Sequence, residues 1–232
     1  MAIQYIDQAD FSGKSVIARF DFNVPLKEGV IKDSSRIDLA LPSIKHILDN
    51  GASKLILMSH LGRPKGKVNL EYSLEPVANY LAQALGEEVI LTESAIENGL
   101  KELLTLKGTK IVLLQNLRFL PGEEENSEEL AKALSDYAEI YVNDAFGAAH
   151  RKHASVHAIN KYFSRRAYGG FLIQKEIESL NKILNTPTKP FIAVVGGAKV
   201  SDKIKTIEKL LISVDKLIIG GAMADPFLKA QG

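Results

Sequence analysis

Apolar residues come in short runs, separated by stretches with helical spacing. Val16, Ile17, Ala18 and Phe20 follow a Gly13-Lys14 turn signal and predict a strand over residues 15–21. Leu55-Ile56-Leu57-Met58 is apolar without interruption, the pattern of a strand buried on both faces. Val89-Ile90-Leu91, Ile111-Val112-Leu113-Leu114 and Ile140-Tyr141-Val142 predict three more. A helix is expected over residues 35–50, with Leu39, Ile44, Ile47 and Leu48 as its apolar stripe and Gly51 as its stop. A second is expected to be capped by Ser73, to tolerate Pro76 in its first turn and to end at Gly86. A third runs from Ser127 to about Tyr137.

Residues 170–185 read as a longer helix, because Phe171, Ile173, Ile177, Leu180 and Leu184 recur at its period. Pro187 and Pro190 break that pattern. Beyond them come a strand over 191–195, a helix over 201–212, a strand over 217–219, Gly220-Gly221 and a short helix. Strands alternating with helices imply parallel βαβ units with right-handed crossovers. The fold class is therefore α/β. Residues 1–169 form a Rossmann-like domain on a five- or six-stranded parallel sheet with helices on both faces. Residues 190–232 supply the first βαβ part of a second such domain. That segment is too short to bury a core alone, so it is expected to be the front of a longer two-domain chain.

Composition narrows the chemistry. Lys and Arg number 29 against 28 Asp and Glu, so the net charge is +1 and any basic patch must be local. The chain has no cysteine, which excludes disulfides, thiolate nucleophiles and Cys zinc sites. The first residues lack a basic segment followed by an apolar core, and no apolar run approaches a membrane span. A soluble, cytoplasmic protein is expected.

Four predicted strands run straight into polar, basic loops. The first leads to Asp21, Asn23, Pro25 and, further on, Arg36. The second leads to Ser59-His60-Leu61-Gly62-Arg63-Pro64, the third to Gln115-Asn116-Leu117-Arg118-Phe119. The fourth leads through Asn143, Asp144 and Gly147 to His150, Arg151 and His153. In a parallel sheet these carboxyl ends share one edge, where open α/β sheets place their ligands. Arg36, Arg63, Arg118 and Arg151 should then converge on a small, multiply charged anion such as a phosphorylated acid, gripped bidentately. Asp21 and Asn23 suit hydroxyl groups, and Gly62 and Gly147 allow close backbone approach. A single loop arginine is usually a surface charge; repetition at one structural address argues otherwise. His157 reads as ordinary helix start and Arg165-Arg166 as a solvated pair. The acids at 123–125 and 128–129 read as acid at a helix N-terminus, favoured by the macrodipole, rather than as a metal site.

Val194-Val195-Gly196-Gly197-Ala198-Lys199-Val200-Ser201-Asp202-Lys203 reads as strand, glycine turn and helix start. Such a turn can meet phosphate or merely pack tightly, and both readings stay open here. It matches neither G-x-x-x-x-G-K-[ST] nor G-x-G-x-x-G. Lys199 and Lys203 are four apart and would share a helix face. A nucleic-acid module built on the basic loops is disfavoured by the near-zero net charge.

Arg19-Phe20-Asp21-Phe22-Asn23-Val24-Pro25, the 59–64 and 143–151 segments and the 196–203 turn closely resemble phosphoglycerate kinases, in the family's order and along the whole chain. The resemblance implies phosphoryl transfer between 1,3-bisphosphoglycerate and ADP, giving 3-phosphoglycerate and ATP, in a monomer whose two domains close on a hinge. It implies that residues 170–189 carry the interdomain helix and hinge. It implies phosphoglycerate binding by Asp21, Phe22, Asn23, Arg36, His60, Leu61, Gly62, Arg63, Arg118 and Arg151, with Arg19, His150 and His153 completing a basic patch. Arg36 would lie nearest the transferring group. Lys203, assisted by Lys199, would meet nucleotide phosphates, with Gly197, Gly220 and Gly221 beside the nucleotide. No residue is assigned to metal; Mg2+ would arrive on ATP or ADP. Neither a membrane nor a nucleic acid is implied. Gln115 stands where the family usually has Glu. Asp225-Pro226 departs from the family's usual Thr, and would start a helix with Asp225 as N-cap. The acidic ribose contact and glycine-rich phosphate loop of the family's later half do not occur in these 232 residues. Taken alone they would bind phosphoglycerate without appreciable transfer.

Overall fold

The structure, a computed structural model, describes residues 3–96, 99–106, 108–185, 188–197, 201 and 203–232. They form two compact units, Met1–Glu176 and Ile177–Gly232, divided inside one helix. The first unit begins with β1 (Ser15–Arg19), a small hairpin of β2 (Leu26–Lys27) and β3 (Val30–Ile31), α1 (Ser35–Asp49) and β4 (Lys54–Met58). Next come α2 (Glu75–Leu85), β5 (Val89–Leu91), α3 (Leu100–Thr105), β6 (Ile111–Leu113), α4 (Pro121–Glu124) and α5 (Glu128–Ser135). β7 (Ile140–Asn143), β8 (Ala167–Gly169) and the start of α6 (Phe171–Asn185) complete it.

The six-stranded sheet has the order β5-β6-β4-β1-β7-β8, and every pair is parallel. Arg19 pairs with Met58 on one side and Asn143 on the other, and Leu57 pairs with Leu113. The carboxyl ends of β1, β4, β6 and β7 therefore lie side by side. Alternate residues of each strand feed two cores. Val16, Ala18, Leu55 and Leu57 face one, with Ile44 of α1 and Val77 of α2. Ile17, Ile56, Met58 and Val112 face the other, with Leu134 of α5 and Phe163. Burial on both faces is why these strands read as unbroken apolar runs.

Helix details depart from the sequence reading in instructive ways. The buried stripe of α1 is Ile37, Ala40, Ile44 and Ile47, whereas Leu39 is 50% exposed. α2 opens one turn position later than expected, with Leu74 at its N-cap. Ser73 still helps, because its Oγ accepts from the Glu75 N–H at 3.2 Å. Gly86 closes that helix at φ +66°, and Ser127 caps α5 by accepting from Leu130 N–H at 3.2 Å. The start of α6 is fixed from two elements: Asp144 Oδ1 accepts from Ile173 N–H and Ser43 Oγ from Phe171 N–H, each at 3.0 Å. Gly170 is required there, since a Cβ would lie 2.2 Å from Asp144 Cγ. Leu180 of α6 is exposed, so the expected stripe is not all interior, and the side chain of Leu184 lies outside the described residues.

The second unit holds the rest of α6, parallel β9 (Ile192–Gly196) and β10 (Lys216–Gly220), α7 (Ile204–Leu211) and α8 (Ala224–Gln231). Its buried core is small: Val195, Ile207 and Met223. Val194 is 73% exposed, as a short segment with few layers dictates. α8 follows directly from a 3-10 turn over Gly221–Met223, so Asp225 lies in its first turn and is not the N-cap. Its carboxylate there still suits the helix dipole.

Candidate active site

Asp21 leaves the end of β1 and is taken by neighbours. Its Oδ2 accepts from Arg36 Nη1 at 2.6 Å and its Oδ1 from Asn23 N–H at 3.2 Å. Asn23 Oδ1 in turn accepts from Gly62 N–H at 2.8 Å, tying the loop after β1 to the loop after β4. Both side chains thus brace the loops of this sheet edge. Phe22 and Leu61, expected to touch substrate, point their side chains into the core. Only their backbone can face a ligand. Gly62 has φ +60°, and a Cβ there would fall 2.3 Å from the Tyr72 ring. A Cβ at Gly147 would meet Asp21 Oδ2 at 2.6 Å.

Arg118 is buried and aimed by the same loop. Its Nη1 donates to Gly62 O at 2.8 Å, and its Nε lies 3.2 Å from Glu124 Oε1. Asn116 is a brace that the sequence reading left without a role. Its amide donates to Leu61 O and Tyr72 O at 2.8 and 2.9 Å, and its Oδ1 accepts from Leu61 and Arg118 N–H. Gln115 accepts from Leu74 and Asn116 N–H and donates to Ser73 Oγ, so an amide serves all three partners at once. Arg63, His150 and Arg151 are exposed. Arg151 is close enough for its charge to act on His60 and on Arg118.

Arg19 and the histidines differ most from a surface patch. Arg19 is fully buried; its Nε donates to Ser155 Oγ at 2.9 Å, its Nη1 to Phe20 O, and its Nη2 meets His60 Nδ1 at 3.0 Å. Glu123, in the first turn of α4, is fully buried too. Its carboxylate lies 4.0 Å from Arg19 Nη2 and 3.8 Å from His153 Nδ1. His153 is buried, and burial lowers its pKa against the pull of Glu123.

Burial, with the charges of Arg19, Arg118, His153 and Arg151 added, pushes the His60 pKa down to about 2 from its ordinary 6.5. His60 is thus a neutral group at neutral pH. The unfolded chain binds a proton there below pH 6.5 and the folded chain does not, so stability falls on acidification. Between pH 6.5 and 5 His60 alone removes up to about 2 kcal/mol. Asp144, whose pKa burial raises, contributes in the opposite sense. The urea midpoint is expected to drop from pH 7 to pH 5, and to drop less in His60→Gln. Equal drops in both would contradict the burial argument.

A cavity of about 660 Å³ opens beside Asn23, Leu61 and Gly62. Its charged lining is Glu28, Glu71 and Glu75, and none of the four arginines borders it.

In the second unit, Lys203 is exposed and immediately precedes α7. Lys199, expected to share a helix face with it, lies outside the described residues. A Cβ on Gly197 would sit 3.1 Å from Met223 Sδ and 3.2 Å from Lys203 Cε, so the lysine stem packs over the glycine turn. Gly221, at φ +65°, begins the turn after β10. A side chain at Gly197 would press on Met223 and Lys203, whereas Gly221 has space around it and is favoured by its positive φ alone.

The first unit is thus a parallel α/β domain whose basic loops follow the carboxyl ends of neighbouring strands, and the second holds two parallel strands with helices. The family model for phosphoglycerate kinase matches residues 6–232, and the chain belongs to that family. It is 50% identical over 230 residues to a phosphoglycerate kinase of Clostridium perfringens, covering 98% of this chain and 57% of that protein. It is 51% identical over 233 residues to one of Moorella thermoacetica, covering 100% and 58%. The solved phosphoglycerate kinase of Coxiella burnetii superposes with a TM-score of 0.86 at 40% identity, covering all of this chain and 58% of that one. That of Pyrococcus horikoshii OT3 gives 0.85 at 32% identity, covering 99% and 58%. The chain thus spans less than two thirds of the length of these relatives.

Proposed function

We propose that this chain serves reversible phosphoryl transfer from 1,3-bisphosphoglycerate to ADP, giving 3-phosphoglycerate and ATP. The observation that supports the reading is that the charges of Arg19, Arg118 and Arg151 act on neutral His60, while Arg36 is held by Asp21 at the end of β1, at the same sheet edge. Arg63 follows Gly62 directly and joins them. Phosphoryl transfer asks for alignment and charge neutralisation more than for covalent chemistry. Arg63, Arg118 and Arg151 neutralise the bound phosphoglycerate. His60 donates a hydrogen bond, and the backbone at Phe22, Leu61 and Gly62 sets the floor. Asp21 and Asn23 hold Arg36 and Gly62 in place. Arg36, the most exposed of the site's paired cations, reaches the transferring group.

Lys203, with Lys199, neutralises nucleotide phosphates, and Gly197, Gly220 and Gly221 leave room for them. ADP supplies the accepting phosphate and carries the Mg2+. The protein works as a cytoplasmic monomer, with residues 1–169 as the phosphoglycerate domain, 170–189 as interdomain helix and hinge, and 190–232 as the start of the nucleotide domain.

Isothermal titration of the 232-residue chain with 3-phosphoglycerate tests the substrate half of this reading. One site is expected, weakened about tenfold or more by Arg151→Ala, as befits loss of a charge-assisted bidentate contact. A folded sample that gives no binding isotherm would overturn it. Preference for long polyanions with a steep salt slope would favour nucleic acid instead.

A further inference from the structure

The buried polar layer under the arginines has a direction. Arginine has no acceptor, so in the 3.0 Å contact between Arg19 Nη2 and His60 Nδ1 the arginine donates and Nδ1 is bare. The single ring proton of neutral His60 must then sit on Nε2. That nitrogen has no hydrogen-bond partner among the described residues, and His60 retains 5% exposure. The tautomer is decided by where Arg19 points, and Arg19 is itself aimed from behind. Its Nε donates to Ser155 Oγ at 2.9 Å, and Ser155 Oγ donates to Glu123 Oε1 at 2.7 Å. Glu123 Oε2 also accepts from Ser155 N–H at 3.0 Å. Both Glu123 oxygens thus face donors of Ser155, and Glu123 lies 4.0 Å from Arg19 Nη2 as the partner of the buried guanidinium. Tyr141 fastens the same serine, its hydroxyl donating to Ser155 O at 2.8 Å.

We infer that Glu123, acting through Ser155 and Arg19, is a positioning residue that holds His60 as the Nε2–H tautomer and so makes it a hydrogen-bond donor to the bound phosphorylated acid. The link to the ligand rests on the proposed function; the tautomer does not.

Long-range 1H–15N correlation spectra of the 15N-histidine-labelled chain at pH 7 read the tautomer directly. Wild type is expected to show His60 protonated at Nε2 and bare at Nδ1. Glu123→Gln and Ser155→Ala are each expected to give His60 a mixed tautomer, leave the His46 pattern unchanged, and weaken 3-phosphoglycerate binding about tenfold or more, the usual scale for an outer-layer partner. Ser155→Ala keeps both buried charges, so it carries the test if Glu123→Gln does not fold. A proton on Nδ1 in wild type, or an unchanged His60 tautomer in folded variants, overturns the inference. Failure of wild type to bind 3-phosphoglycerate, with the tautomer still shifting in the variants, removes the functional reading and leaves the role of Glu123 in place.

Discussion

Replacing Arg36 with alanine is expected to slow phosphoryl transfer by roughly 10³–10⁵-fold while weakening 3-phosphoglycerate binding far less. An arginine that neutralises charge developing in the transition state contributes on that scale, about 4–7 kcal/mol. Arg36 is the candidate because of how it is held. A single short bond to Asp21 anchors it at 2.6 Å, and its side chain is still 52% exposed, so it is oriented without being enclosed. Arg118, by contrast, is buried against Gly62 O and Glu124 and reads as a binding group. The measurement is steady-state kinetics with ADP and 1,3-bisphosphoglycerate, in a phosphoglycerate kinase of the relatives' full length carrying these residues. An interaction made only in the transition state lowers kcat and kcat/KM together. Loss of kcat/KM through KM alone would make Arg36 a substrate clamp.

The second large effect is on stability. Glu123→Leu is expected to destabilise the first unit by about 3–5 kcal/mol, because it strands the Arg19 guanidinium in the interior without a counter-charge. A typical domain has only about 5–15 kcal/mol in total, so most of the margin would go. Arg19→Met should cost a similar amount by stranding Glu123. The double variant Arg19→Met/Glu123→Leu should cost clearly less than the sum, since apolar replacement of a whole buried pair is often close to neutral. Urea unfolding of the four proteins measures this cycle. Additive losses would mean that Arg19 and Glu123, 4.0 Å apart, do not interact.

The strands and the loops that follow them were legible because both signals are local. A run such as Leu55-Ile56-Leu57-Met58 has one stable place, the middle of a parallel sheet, and polar residues at its end must leave that sheet together. Leu39 misled because apolarity alone does not say which helical face meets the core; the true stripe includes Ala40, a small residue that carries little signal. Arg19 misled for a different reason. A long cation reads as surface unless its partner is known, and the partner is 104 residues away in Glu123. Glu123 itself was hidden among five acids within seven residues. One clue was available: several cations at one edge call for a counter-charge, and acids follow Arg118 at the nearest turn of chain. The sequence pattern also could not distinguish a residue that touches ligand from one that aims its neighbour. Asp21, Asn23 and Asn116 spend their hydrogen bonds on the loops, which only the fold reveals.

The central claim is that one sheet edge gathers distant basic residues around a single small acid. Backbone amide shift mapping during titration with 3-phosphoglycerate tests it most directly. The expected result is saturable shifts confined to residues 19–23, 60–63, 116–118 and 143–153, with the cavity rim at Glu28 and Glu71 quiet. Shifts centred on that rim, or none in a folded chain, would contradict the account.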